Sequence, residues 1–250
     1  MKLRKSKAVA LCGLVAVCIC AVVAAIWLVG GRADAGRDGA AKGDETKSGT
    51  MKVVSDEHLQ TCLAGAFPDA LSDDAGSDGL AGITDVVFPM LASEHGEDCG
   101  DLSEVRSIEG IQYLTGLRNL DLGSMPEVDS GAPIADLTGL QQLSISQTAI
   151  ADIGFVSSLP ELSQLALPAS ACDVSALAGH DALQSVSIGC ASADIGPLDG
   201  MGIQLVVPAD FDPAKAEASA ATGNTVTVMN DDGSFDVYQL INGGVTVSHV

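Results

Sequence analysis

Aromatic side chains are scarce in this chain. They make up 3% of 250 residues: one Trp, two Tyr and five Phe. Large aromatics dominate strong interface hot spots, so a tight binding surface has little to draw on. Basic residues are few as well. Beyond Gly31, 8 Lys/Arg face 33 Asp/Glu, a balance of −25. A body this acidic repels phosphate backbones, which argues against nucleic acid as a partner. Solubility is the plain reading of the charge, and attraction to cations or a basic protein surface is the sharper one. Histidine occurs four times, at His58, His95, His180 and His249. There is no Gly-rich phosphate loop, no G-x-S-x-G elbow and no H-E-x-x-H helix. Catalysis therefore has little support, and neither a cofactor nor a resident metal is expected. "DVSALAGHD" does bring Asp173 and His180 into one stretch, where loop residues are the simpler explanation.

What the chain has in place of charge at its start is a long apolar run. Ala8 to Gly31 carries no charged residue. As a helix it reaches roughly 35 Å, enough for a hydrocarbon core of about 30 Å. Lys2, Arg4, Lys5 and Lys7 precede it, so the positive-inside rule puts everything after Gly31 outside the cytoplasm. "ADA" (Ala33 to Ala35) offers an alternative, a signal-peptide cleavage site. The run is longer than the usual h-region of about 7–15 residues, which favours an uncleaved anchor. Residues 32–51 are Gly/Ala-rich, mixed in charge and without apolar period, as a flexible stalk is.

Beyond the stalk, "IEGIQYLTGLRNLDLGSMPEV" (Ile108 to Val128) has apolar residues at Ile111, Leu114, Leu117, Leu120 and Leu122. The steps are three, three, three and two. Neither a helix nor a strand keeps such a rhythm. The pattern recurs. "LRNLDL" begins at Leu117, "LQQLSI" at Leu140, "LSQLAL" at Leu162 and "LQSVSI" at Leu183. The starts are 23, 22 and 21 residues apart. The closing L-x-L is a short strand with two residues on one side. The three-residue steps are a tighter, 3₁₀-like return. Each copy is one coil of a solenoid, and only stacked coils bury the apolar column.

These residues resemble leucine-rich repeat proteins, and specifically the internalin-type repeats of bacterial surface proteins. The resemblance covers Ile108 to about Pro208. It includes the return segment "AIADIGF", with Ile150, Ile153 and Phe155 at its apolar positions. It implies an α/β solenoid with a curved parallel β-sheet, a helical N-terminal cap and a small α+β or β C-terminal cap, preceded here by one transmembrane helix. The expected divisions are 1–31 basic tip and anchor, 32–51 linker, 52–107 N-terminal cap, 108–208 repeats and 209–250 C-terminal cap. One departure stands out. The family places Asn three residues after the strand's last Leu, where this chain has Met125, Thr148, Ser170 and Ala191. The hydroxyls of Thr148 and Ser170 can stand in for the amide; Met125 and Ala191 cannot.

In the N-terminal cap, "VSDEHLQTCLAGAFPDAL" reads as a helix with Ser55 as N-cap and Leu59, Leu63 and Phe67 along one face. "GITDVVFPMLA" reads as a strand, and "SDDAGSDG" and "SEHGEDCGD" as polar loops. At the other end, "DPAKAEASAATG" is helical in propensity. "NTVTVMNDDGSFDVYQL" reads as strand, turn and strand, with a further strand in "GVTVSHV".

Cys62 and Cys99 lie in the extracytoplasmic cap, where a disulfide is plausible chemistry. The pairs His58/Cys62 and His95/Cys99 are each four apart, which leaves a Cys₂His₂ zinc site as the rival reading. Cys172 aligns with Ile150, an inward position, and Cys190 with Gln147, nearer the surface. Their opposed directions argue against a bridge. "SDDAGSDG" and "NDDGSFD" cluster carboxylates, but neither fits a twelve-residue calcium loop with its terminal Glu.

The outward residues of the short strands follow from the alternation. The candidate ligand-binding set is Asn119, Asp121, Gln142, Ser144, Ser146, Gln164, Ser185 and Ser187, joined by Gly123, Ala166, Pro168 and Gly189. All are small or polar. The resemblance implies a protein-binding module, and with the N-terminal apolar run the expectation is a membrane-tethered, non-catalytic module for a protein or cell-surface ligand, adhesion being one version. An envelope enzyme or regulatory subunit with the repeats as scaffold is the alternative, and a structural spacer a third.

Overall fold

The computed structural model describes residues 52–250. The expected membrane span and stalk lie outside these residues. Among those described, no helix is long and apolar enough to cross a membrane.

The three-residue steps are 3₁₀ geometry, in which side chains at i and i+3 eclipse. Return segments of this kind occupy Ile111–Tyr113, Ala132–Asp136, Gly154–Ser158, Ser175–Leu177 and Gly196–Leu198. Each buries one apolar residue: Ile111, Ile134, Val156, Leu177 and Leu198 in turn. The two-residue steps are the strands β2 (Asn119–Asp121), β3 (Gln142–Ser144), β4 (Gln164–Ala166) and β5 (Ser185–Ser187). They pair in parallel, in strict register, so that Leu120, Leu143, Leu165 and Val186 form one buried column.

The sheet is longer than the four recognised copies. β1 (Asp85–Val87) pairs with β2 at the N-terminal end. β6 (Gln204–Pro208) and β7 (Thr225–Met229) extend it in parallel beyond β5. β8 (Phe235–Ile241) and β9 (Gly244–His249) then add antiparallel, for nine strands in chain order.

The N-terminal cap differs from the sequence reading in three places. Helix α1 spans Glu57–Ala66, and its N-cap is Asp56, not Ser55. The Asp56 carboxylate accepts from the His58 and Leu59 N–H groups at 3.0 and 3.2 Å. "GITDVVFPMLA" is a strand only over β1. Helix α3 (Phe88–Glu94) takes the rest, with Pro89 in its first turn, where the missing N–H costs nothing. The two polar stretches are not simple loops. They hold the short helices α2 (Gly76–Ala81) and α4 (Gly96–Cys99). α4 is tied to α1 by a disulfide between Cys62 and Cys99, both fully buried. Gly110 seats this cap on the first coil. Its φ is +107°, and a Cβ there would meet the Val53 carbonyl oxygen at 2.1 Å.

A second disulfide joins Cys172 and Cys190, which corrects the expectation that these two would not bridge. The turn after β4 is one residue shorter than the turn after β3. Ala171, not Cys172, therefore takes the inward place of Ile150, and Cys172 turns outward. Cys190 holds the place of Pro168, since Ala171 N–H donates to the Pro168 carbonyl as Ala193 N–H does to that of Cys190. The two sulfurs thus meet between adjacent coils.

The missing asparagines are replaced in different ways. Thr148 Oγ1 is buried and donates to the Ile145 carbonyl of its own turn at 2.8 Å. Ser170 Oγ instead reaches the Ile150 carbonyl of the preceding coil at 2.8 Å. Met125 is a fully buried core side chain. The Ser124 N–H beside it donates to Gln147 Oε1 of the next coil at 3.1 Å.

At the C-terminal end, helix α5 (Pro213–Ala221) replaces a 3₁₀ return, with Asp212 capping it through the Ala214 N–H at 2.9 Å. Asn224 then locks the last coil in place. Its Oδ1 accepts from Ile203 N–H at 3.1 Å, and its Nδ2 donates to the Leu198 carbonyl and Ser219 Oγ, each at 2.9 Å.

Candidate functional site

Alternation along each three-residue strand turns the middle residue inward and the outer two toward solvent. Parallel register then stacks the outward residues into rows. The first runs Asp85, Asn119, Gln142, Gln164, Ser185, Gln204 and Thr225. The second runs Val87, Asp121, Ser144, Ala166, Ser187, Val206 and Thr227, of which Val206 and Thr227, on the longer strands β6 and β7, are buried. Seven parallel strands at about 4.8 Å spacing make a face roughly 29 Å long.

The eight residues named from sequence all fall on or beside this face, and seven of them are half-buried; Ser146, just past β3, is exposed. Gly123 and Pro168 are buried instead. Pro89 of α3 lies over Gly123, so that a Cβ there would stand 2.6 Å from Pro89 Cγ. Sequence reasoning missed Asp85, Gln204 and Thr225, which belong to strands outside the four copies. The "IQLVV" around Gln204 does carry an L-x-V echo of the repeat.

The face divides electrostatically. Its N-terminal end holds two carboxylates. Asp85 accepts from Asn119 Nδ2 and from Thr84 Oγ1. Asp121 accepts from the Gly123 N–H at 2.8 Å. Burial pushes the Asp121 carboxyl above its usual range, against hydrogen bonds from Gly123 and Ser144 that favour the ionised form. The middle of the face is neutral. Gln142, Gln164 and Gln204 form no side-chain hydrogen bond with any described residue. Their amides, each with two donors and an acceptor, stand half-exposed and unspent. Residues 52–250 as a whole hold four Lys/Arg, at Lys52, Arg106, Arg118 and Lys215, against 29 Asp/Glu.

The remaining candidates are committed elsewhere. Asp173 Oδ1 caps the Ser175–Leu177 return by accepting from Ser175 N–H at 2.9 Å. Hydrogen bonds from Ser175 hold that carboxyl below its usual range. His180 stands in the column of Leu137 and Leu159, and its Nε2 donates to the Leu159 carbonyl at 2.9 Å. The sulfurs of Cys62 and Cys99 are bonded to each other, so neither is a thiolate for zinc. Among the described residues, no group of three or more His, Cys, Asp or Glu is placed to hold a metal ion.

A stack of 3₁₀ returns and short parallel strands, capped at the N-terminal end by helices, is a leucine-rich repeat solenoid, and its open polar sheet face is the candidate site. The solved structures it resembles are of that kind. An internalin (inlF) from Listeria monocytogenes strain 4b F2365 superposes with a TM-score of 0.54 at 20% sequence identity. The match covers 72% of this chain and 58% of that one. Internalin C2 (inlC2) of the same strain matches with a TM-score of 0.47 and 17% identity, over 80% of this chain and 96% of that one. No family model matches the chain, and no curated protein does. The fold is thus that of the internalin-type repeats, and the chain spans little more than half the length of the inlF structure.

Proposed function

We propose that the chain is a membrane-tethered, extracytoplasmic binding module that takes a protein or other cell-surface ligand on the open face of its parallel sheet, without catalysis. The observation that carries this reading is the row of Gln142, Gln164 and Gln204, whose side-chain amides make no hydrogen bond with any described residue. Half-buried polar groups in a regular row are donors and acceptors held ready for a ligand. The face has no Trp, Tyr or Arg, so recognition is weak or multivalent rather than anchored on hot spots. The carboxylates of Asp85 and Asp121 favour a partner with a basic group over that end. The tether is the uncharged run Ala8 to Gly31 behind four basic residues. Adhesion to a host or neighbouring cell is one use of such a module.

The enzyme reading is weakened by the roles of Asp173 and His180, which cap a return and bond a backbone carbonyl. The test is photocrosslinking in the native cell from Gln142 and Ser187. A specific partner captured at both positions supports the reading. Capture only from control positions in the two caps moves the function off the repeats and leaves them a scaffold.

A further inference from the structure

Among the described residues, the C-terminal hairpin is the last pair of strands in the sheet. β9 pairs with β8 on one side, and no described strand lies on the other. The hairpin loop is Asn242-Gly243, both at positive φ. That turn makes the flanking Ile241 and Gly244 a mutually hydrogen-bonded pair. Such pairs alternate with non-bonded ones along an antiparallel ladder. Gly244, Thr246 and Ser248 therefore turn their backbone groups toward β8. Val245, Val247 and His249 turn theirs outward. An open row of this kind is a template for pairing, and native edges blunt it with Pro, Lys or a bulge. Gly244 to His249 has no Pro and no Lys, and its register with β8 runs unbroken through six pairs.

Two observations select the occupant. From Val237 to His249 there is no Asp, Glu, Lys or Arg, in a chain with a net charge of −21. The one charged group of the hairpin ladder, Asp236, is in register with His249 and is taken up by its Nδ1, so two copies of so acidic a protein can meet here without unpaired facing charges. The hairpin also keeps apolar side chains in solvent on one face. Leu240 is 45% exposed and Val247 48% on that face, while Val245, opposite Leu240 in the register, is half-buried against the core and Ile241 is exposed on the other face.

We propose that β9 pairs antiparallel with β9 of a second copy, about a two-fold axis at Val247. Centring the axis there sets Val247 against its counterpart and Val245 against His249 of the other copy. All three outward residues are then used, and the ladder is self-complementary, as a two-fold interface requires. Leu240 and Val247 from both copies merge into one apolar strip. The pairing presents two sheet faces together, and its basis is independent of what those faces bind.

The test is amide hydrogen exchange on the full chain in detergent micelles, over a dilution series. The amides of Val245, Val247 and His249 are compared with those of Thr246 and Ser248. The expected result is protection of the outward set by about tenfold or more at high concentration, lost on dilution. The inward set stays protected throughout. Val247→Lys places two like charges at the axis and abolishes the concentration dependence, while continued protection of Thr246 and Ser248 shows the hairpin intact. Outward amides that exchange freely at every concentration overturn the proposal. So does protection that dilution leaves unchanged, which marks a cover within the chain. Concentration dependence that survives Val247→Lys also overturns it, since pairing then lies elsewhere.

Discussion

Replacing Asn224 by Ala tests how the last coil is held. Asn224 is 1% exposed and serves three partners at once. The substitution strands the Ile203 N–H where water does not reach, and it removes one of two bonds to the Leu198 carbonyl, which keeps the Met201 N–H at 3.3 Å. A buried backbone group left without a partner costs about 1–3 kcal/mol. One stranded N–H together with the lost bond to a carbonyl that stays paired gives an expected loss of about 3 kcal/mol. For a body of about 200 residues, each kcal/mol lowers Tm by about 2–4 °C, so the drop is roughly 6–12 °C. The assay is thermal and urea unfolding of a form lacking the N-terminal apolar run and beginning at Lys52, the first described residue. Asn224→Asp keeps Oδ1 but sets an acceptor against the Leu198 carbonyl, and is expected to cost at least as much. If Asn224→Ala stays within about 0.5 kcal/mol of the parent, as an ordinary surface change does, the claim that this amide clamps the final coil is refuted.

Other outcomes follow from the same geometry. Thr148→Val removes a buried hydroxyl from the Ile145 carbonyl and is expected to cost about 1–2 kcal/mol, measured by urea midpoint. Ser170→Ala, at an exposed site, is expected to cost less than Thr148→Val in the same assay, and the reverse order contradicts the turn assignments. Replacing Cys172 and Cys190 together by Ala opens a closed loop with a sequence separation of 18, for an expected loss of about 3 kcal/mol in the loop-entropy account. Asp121→Asn tests the buried carboxylate. Its folded pKa is raised, so the folded state binds a proton more readily than the unfolded one. Stability from that source is full below the ordinary carboxylate range and is lost as pH rises through the folded value. The Asn variant is therefore expected to gain on the parent at pH 7 and to lose that advantage in acid. A variant less stable at pH 7 than the parent shows that the hydrogen bonds from Gly123 and Ser144 outweigh burial.

The solenoid was legible because two backbone geometries left two spacings in one chain. Leu114 to Leu117 is a 3₁₀ step and Leu120 to Leu122 a strand step, and four copies repeat them. The flanking coils were harder to see. β1 keeps the spacing in Ile83, Val86 and Phe88 but without a single Leu, and β7 follows a helix with Gly223 where the first Leu would stand, so Asp85 and Thr225 escaped the outward set. α2 and α4 are six and four residues long, too short to display a helical period. α4 also owes its place to a covalent bond at Cys99, which spacing does not reveal. The Cys172–Cys190 bridge was missed through a single deleted residue between Leu167 and Ala171, which puts Ala171 in the inward place and leaves Cys172 exposed. Asn224 carried no signal at all, because its three partners are 5 to 26 residues away.

The central claim is that the outward rows of the parallel sheet are where this protein meets its partner. Gln164 lies mid-face, between Gln142 and Ser185 in register. Gln164→Arg puts a long charged side chain there while leaving the buried Leu165 column untouched. The decisive measurement is the yield of partner photocrosslinked from Gln142 and from Ser187, with and without Gln164→Arg, in cells where surface level and unfolding midpoint are unchanged. The account predicts that both yields fall together by about tenfold, the equivalent of roughly 1.4 kcal/mol of binding. Equal yields with and without the substitution would contradict it.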